Sequence, residues 1–181
     1  SRYTQVRFGR NYIAAASRLS ALLAKHRSMS QAQQYLQRMR SSQPTQAVIL
    51  FQVESNLLLN AQKPSQALVV LSSGLDYFPN DPQLLYARSM VAEQQDDFVL
   101  AEQDLRAILA QDQNNATVLN ALGYTMILHT DRREEAIELI TKAYQLEPKD
   151  PSIIDSMGWP ISKLGKTDTA TDVPKQTVEI K

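Results

Sequence analysis

The sequence predicts an all-α fold, a solenoid of antiparallel helix pairs, and three observations carry that expectation. Alanines recur at nearly constant spacing: Ala32, Ala67, Ala101, Ala136 and Ala170 stand 35, 34, 35 and 34 residues apart. Twelve residues after the first four come Pro44, Pro79, Gln113 and Pro148, so a helix-ending residue closes three of the four intervals. The composition is rich in residues that lose little rotamer freedom in a helix, with 19 Ala, 22 Leu and 18 Gln against 5 Gly. A period near 34 residues with helical patterning marks helix-turn-helix units set in a row.

The units follow in order. Residues 1–12 read as the end of a preceding helix, with Tyr3 and Val6 as its apolar contacts. Unit one, residues 13–47, carries Ala16, Leu19, Ser20 and Leu23 and then Ala32, Leu36 and Met39. Unit two, residues 48–81, has Phe51, Ser55 and Leu58, then Ala67, Leu71 and Gly74. In unit three, residues 82–115, Leu85, Arg88, Ser89 and Ala92 precede Ala101, Leu105 and Ile108. Pro82 suits a helix first turn, and Asn80 or Asp81 before it can cap.

Unit four, residues 116–150, shows the pattern best. Leu119, Leu122 and Met126 form one apolar stripe, and Gly123 stands where a side chain would obstruct the neighbouring helix. Residues 129–133 are the polar turn, and Ala136, Ile140 and Ala143 make the seam of the second helix. Residues 151–181 begin a fifth unit with Ile154, Met157, Gly158 and Trp159 and then depart from it. Pro160 falls in mid-helix and Pro174 where the second helix should pack, so the repeat is expected to fail after about residue 160, leaving an extended or disordered tail.

Composition bounds the function. The 181 residues are 43% hydrophobic and 21% charged, which is a globular balance. Without cysteine there is no disulfide framework, thiolate metal site or cysteine nucleophile. The apolar runs are far below the roughly 20 residues that span a bilayer. No signal peptide opens the chain, and its start at Ser1 reads as that of a piece of something longer. Nineteen basic residues balance nineteen acidic ones, but unevenly. Residues 1–53 hold eight basic residues (Arg2, Arg7, Arg10, Arg18, Lys25, Arg27, Arg38, Arg40) and no acid, while residues 54–181 hold eleven basic and nineteen acidic, a balance of minus eight. Such an end can steer anionic partners or simply be a solvated face, and without an overall basic balance nucleic-acid binding is not expected.

Catalytic chemistry has no foothold. His26 and His129 are about three repeats apart, where they cannot share a metal, and no HExxH, P-loop, G-x-G-x-x-G or G-x-S-x-G stands in the chain. The acid pairs Asp96-Asp97 and Glu134-Glu135 fall at expected interhelical turns, and the sequon Asn115-Ala116-Thr117 is of a kind that chance supplies. The expectation is a protein that is no enzyme and uses no metal or cofactor.

The pattern L-x-x-L-G-x-x-M, A-x-x-x-I-x-x-A and a closing Pro resembles the tetratricopeptide repeat (TPR) family, which implies a right-handed α-solenoid. In TPR arrays the first helix of each unit lines a concave face that binds ligands. That resemblance implies a partner-binding face of Gln52, Asn56 and Leu59, then Tyr86, Met90 and Glu93, then Asn120, Tyr124 and Ile127, then Asp155 and Trp159. Amides can bond a peptide backbone and Tyr, Trp and Met supply contact area, whereas packing between helices is the alternative for Tyr124 and Trp159, each of which follows a glycine. Chaperone-binding members grip a terminal carboxylate with Lys, Arg and Asn; these positions offer Asn56 without the cations, which argues against an acidic-tail ligand.

Four segments narrow the likeness: residues 3–24, 81–105, 114–126 and 150–159. They resemble TPR-rich outer-membrane lipoproteins of Gram-negative bacteria, some of which are adaptors for a carboxyl-terminal processing protease. The likeness ends after Trp159. It implies a periplasmic parent anchored at the outer membrane that scaffolds a protease and its substrates. A self-assembling module and an accessory domain of a longer enzyme are the alternatives, and uncapped array ends could pair two copies as a homodimer.

Overall fold

The computed structural model describes the backbone of residues 2–164 and the side chains of residues 12–158. The chain divides into two compact units, residues 1–113 and residues 114–181. In the first, α1 (Arg2–His26) pairs with α2 (Met29–Ser42), α3 (Ala47–Asn60) with α4 (Pro64–Tyr77), and α5 (Pro82–Gln94) with α6 (Phe98–Gln111). A 3-10 turn, Pro44–Gln46, links the first pair to the second. In the second unit α7 (Ala116–His129) pairs with α8 (Arg133–Leu146), and α9 (Pro151–Leu164) follows. Turns of a few residues join the helices, so each pair is antiparallel. Within the units α1 lies beside α3, α3 beside α5, and α7 beside α9.

The recurring alanines hold the pairs together. Ala32, Ala67, Ala101 and Ala136 are each at most 1% exposed, and one turn on Leu36, Leu71, Leu105 and Ile140 are at most 2% exposed. Small side chains let the first helix of each pair come close; the larger ones supply roughly 1.5–3 kcal/mol apiece of burial. In the first unit Phe51, Leu58, Leu71, Leu84 and Val91 form one cluster and Ala16, Leu36 and Leu50 another.

Short polar residues fix the helix ends. Ser28 Oγ accepts from the Gln31 amide, Asp97 from Leu100 and Asn115 from Val118. Asn80 and Asp81 divide their work: Asp81 caps α5 through the amides of Gln83 and Leu84, while Asn80 turns the chain at φ 63°. The turns after α3 and α5 are alike. Gln62 (φ 57°) and Asp96 (φ 58°) are left-handed, and the next amide returns five residues, Lys63 to Leu58 O and Asp97 to Ala92 O. These are Schellman closures that glycine usually supplies.

Two expectations differ from the structure. Residues 1–12 do not end a separate helix: α1 runs unbroken to His26, because no proline, glycine pair or capping side chain interrupts it between residues 10 and 26. The helix of the fifth unit passes through Pro160 to Leu164, since proline removes one hydrogen bond but can kink a helix without ending it. The expected contacts of Tyr3 and Val6 and the expected tail, including Ala170 and Pro174, lie outside the described residues.

Candidate functional site

In the first unit the two helices that carry the expected face stand side by side. α3 gives its buried stripe (Leu50, Phe51, Glu54, Ser55, Leu58) to the interior, and α5 does the same with Leu84, Leu85, Ser89, Val91 and Ala92. Between those stripes lie the candidate positions. Asn56 and Met90 are exposed, Met90 by 38%, and Gln52, Leu59, Tyr86 and Glu93 are half-buried. Two have structural work as well. The Gln52 amide Nε2 donates to Gln83 O at 3.2 Å, tying α3 to the first turn of α5, and Leu59 packs on the rim of the apolar cluster. The Tyr86 phenol is pushed above its ordinary range, first by burial and then by the negative charge of Glu93, so it remains a neutral donor.

In the second unit α7 and α9 carry Asn120, Tyr124, Ile127 and Asp155. Tyr124 is 38% exposed, Asp155 is exposed, and Asn120 and Ile127 are half-buried. The glycine before it bears on where Tyr124 points. A Cβ on Gly123 would stand 2.6 Å from Ile140 Cγ1 and 2.8 Å from Ala136 O, so Gly123 faces α8, and Tyr124, one residue on, turns about 100° away. The Asn120 Oδ1 is buried without a hydrogen-bond partner, a cost of order 1–3 kcal/mol. The Trp159 side chain lies outside the described residues.

Other candidates find plainer places. His26 and His129 each end a helix, α1 and α7. Asp97 is a cap, whereas Glu134 and Glu135 lie inside the first turn of α8, not in the turn before it, where their charge suits the helix dipole. The Asn115 carboxamide caps α7. Among the described residues no group of three or more His, Cys, Asp or Glu could hold a metal ion, and no helix is long and apolar enough to cross a membrane.

Sequence reasoning missed two buried ion pairs. Arg40, counted with the basic surface, binds Glu54, which also accepts from Gln33 Nε2 at 3.0 Å; the Arg40 guanidinium lies 4.2 Å over the Phe51 ring. Arg88 grips Asp104 with two bonds of 2.8 and 2.7 Å and donates to Ser72 Oγ at 3.1 Å. The Asp104 bond is the first cause that raises the Arg88 pKa. The signal was present: Glu54 and Arg88 fill the repeat position that Leu122 fills in unit four. A third helix of the face was missed too. Counting back one repeat from Gln52 and Asn56 gives Ser17 and Ala21 on α1, both exposed.

The chain is 40% identical, over 98% of its length, to a TPR repeat-containing protein of Pseudomonas aeruginosa, and spans about 30% of that relative's length. No family model matches it. Among solved structures it is similar to MamA of Desulfovibrio magneticus RS-1, with a TM-score of 0.64 and 19% identity over 85% of this chain and 86% of that one. The first TPR domain of human RPAP3 gives 0.60 and 18% identity, covering 67% of this chain and 94% of that one. YrrB, a TPR protein with an unusual peptide-binding site, gives 0.58 and 19% identity, over 76% of this chain and 71% of YrrB.

Proposed function

We propose that this chain, whose fold is that of the tetratricopeptide repeat, is a non-catalytic scaffold that holds extended segments of partner proteins on the open sides of α3 and α5 and of α7 and α9. One observation carries the reading: Asn56, Tyr86 and Met90 occupy a solvent-accessible side of two adjacent helices whose opposite sides are consumed by the core. Amide groups there can pair with a strand's backbone, the Tyr86 phenol can donate, and Met90 adapts its shape to an apolar side chain. The relatives support it in kind, since the first TPR of RPAP3 takes an HSP90 peptide, SRMEEVD, and YrrB has a peptide-binding site. An acidic tail like that peptide is a poor fit here. The candidate positions present Glu93 and Asp155 and no cation to pair with a carboxylate.

The finer proposal is a periplasmic adaptor, anchored at the outer membrane through the rest of its parent protein, that brings substrates to a carboxyl-terminal processing protease. It rests on the four family-like segments and on the likeness to a protein of a Gram-negative bacterium. Holding both partners on one array raises the effective concentration of one near the other.

The test is capture from periplasmic extract, read by mass spectrometry, with the wild-type chain and with the triple variant Tyr86→Ala, Asn120→Ala, Tyr124→Ala. Partners retained by the wild type and lost from a variant of unchanged helicity support the face. Equal capture by both would move the binding surface elsewhere, and a set of partners without a protease would remove the adaptor reading.

A further inference from the structure

We infer that α1 of one copy docks on α9 of another and completes that copy's fifth repeat, so that chains associate head to tail. Two apolar surfaces, each described within its own unit, carry the inference.

The first is the flank of α1 formed by Ala15, Leu19 and Leu22. Leu19 is 43% and Leu22 53% exposed, and Ala15 is exposed as well. Among the described side chains, later repeats close most of the same positions and leave none of them as open, the least covered being the half-buried Leu57, Arg88 and Met157. Those equivalent to Ala15 are Leu50, Leu84, Val118 and Ile153, each at most 4% exposed; those equivalent to Leu19 include Glu54 at 4% and Leu122 at 0%. Val91 and Thr125, which match Leu22, are 3% exposed.

The second surface is on α9. Ile154 is 46% exposed, whereas its equivalents Ala16, Phe51, Leu85 and Leu119 are at most 5% exposed. Gly158 corresponds to Gly123, against which α8 packs Ile140 and the Ala136 carbonyl, yet apart from its chain neighbours and the backbone of its own helix no described atom lies within 4 Å of where a Gly158 Cβ would stand. In the complete pairs this seat is filled by a second helix whose contact residues run Ala, Leu or Ile four residues later, and a third three residues after that. Ala136, Ile140 and Ala143 are one example, and Ala101, Leu105 and Ile108 another. Ala15, Leu19 and Leu22 repeat that spacing on α1.

Charge selects the pairing. Among the described side chains, the exposed charges of α1 and the turn after it are Arg18, Lys25 and Arg27, with no acid, so two α1 flanks repel each other. Around the start of α9 the exposed charges are Glu147, Lys149 and Asp155, with Asp150 at its cap, a net acidic surface. Basic α1 meets acidic α9. The two surfaces differ, so the contact is heterologous and, unless it closes into a ring, continues chain after chain.

Sedimentation velocity over a wide concentration range, on the full chain, tests this. The wild type should gain mass with concentration and lose it again at high salt. The head variant Leu19→Glu, Leu22→Glu and the tail variant Ile154→Glu, each with unchanged circular dichroism, should be monomeric alone. An equimolar mixture of the two should be dimeric, because the intact α1 of the tail variant meets the intact α9 of the head variant. A monomeric wild type, which would mean that the seat is taken by the chain's own later residues or left open, overturns the inference. So does association of the tail variant with itself, which means head-to-head pairing, or failure of the mixture to associate.

Discussion

The pairs α5–α6 and α7–α8 fill equivalent interior positions by opposite means. Where α5 has Arg88 and Ser89, α7 has Leu122 and Gly123. Arg88 reaches Asp104, which is 1% exposed, and Ser89 Oγ turns back to Tyr86 O at 2.8 Å. Leu122 is wholly buried, and Gly123 brings α8 so close that no Cβ fits. The first solution fixes the partner helix by directional bonds, at the cost of desolvating two charges. The second stabilises by contact and tolerates no added volume. One repeat template therefore does not imply one kind of interior, and the two pairs should break differently.

The largest effect is expected in α5–α6. Asp104→Ala strands the Arg88 guanidinium, which is 17% exposed, and should cost about 3 kcal/mol in urea unfolding. Replacing both partners together, Arg88→Met with Asp104→Leu, should restore stability to within about 1 kcal/mol of the wild type. In α7–α8 Gly123→Ala should cost about 1–3 kcal/mol, because the nearest atom after Ile140 is the Ala136 backbone and cannot swing away. Ser89→Ala, at the same repeat position, should cost well under that, and equal losses at 89 and 123 would erase the contrast.

The turns sharpen it further. α3–α4 and α5–α6 share a left-handed closure, whereas the α7–α8 turn, also three residues long, is closed by a side chain, with Thr130 Oγ1 donating to Met126 O and accepting from the Arg132 amide. Gln62→Gly and Asp96→Gly should each stabilise by about 0.5–1 kcal/mol, relieving side chains held at positive φ. The smallest effect is at α9. The Ser152 hydroxyl and amide and the Ile153 amide hold Asp150 below the ordinary aspartate range. A carboxyl whose folded pKa is depressed contributes stability above its unfolded value and loses it as pH falls through the folded one. An NMR titration should therefore show the Ser152 and Ile153 amides shifting in the acid range, with the first turn of α9 loosening there and unchanged at neutral pH.

Much of this was legible in the residues. The alanine period located every described helix pair, and Gly123 could be assigned to close approach because it stood inside an apolar stripe where glycine is otherwise costly. The ion pairs were not legible, since a charged residue in a stripe reads as surface until its partner, 14 or 16 residues on, is seen beside it. Gln62 and Asp96 were hidden for a related reason: neither residue type announces a left-handed turn as glycine does. Of the candidate face, the accessible positions followed from helical spacing, but the bond from Gln52 to Gln83 O and the packing of Leu59 depend on how α3 meets α5, which spacing alone does not give.

The α5–α6 pair also allows the most direct test of the binding face. A photo-crosslinking residue placed at Met90, on the open side of α5, is compared with one at Val99, which is 81% exposed at the start of α6. Both variants are irradiated in periplasmic extract. The account predicts that Met90 yields a discrete crosslinked partner and that Val99, though more accessible, does not; the same partner captured at Val99 and not at Met90 would contradict it.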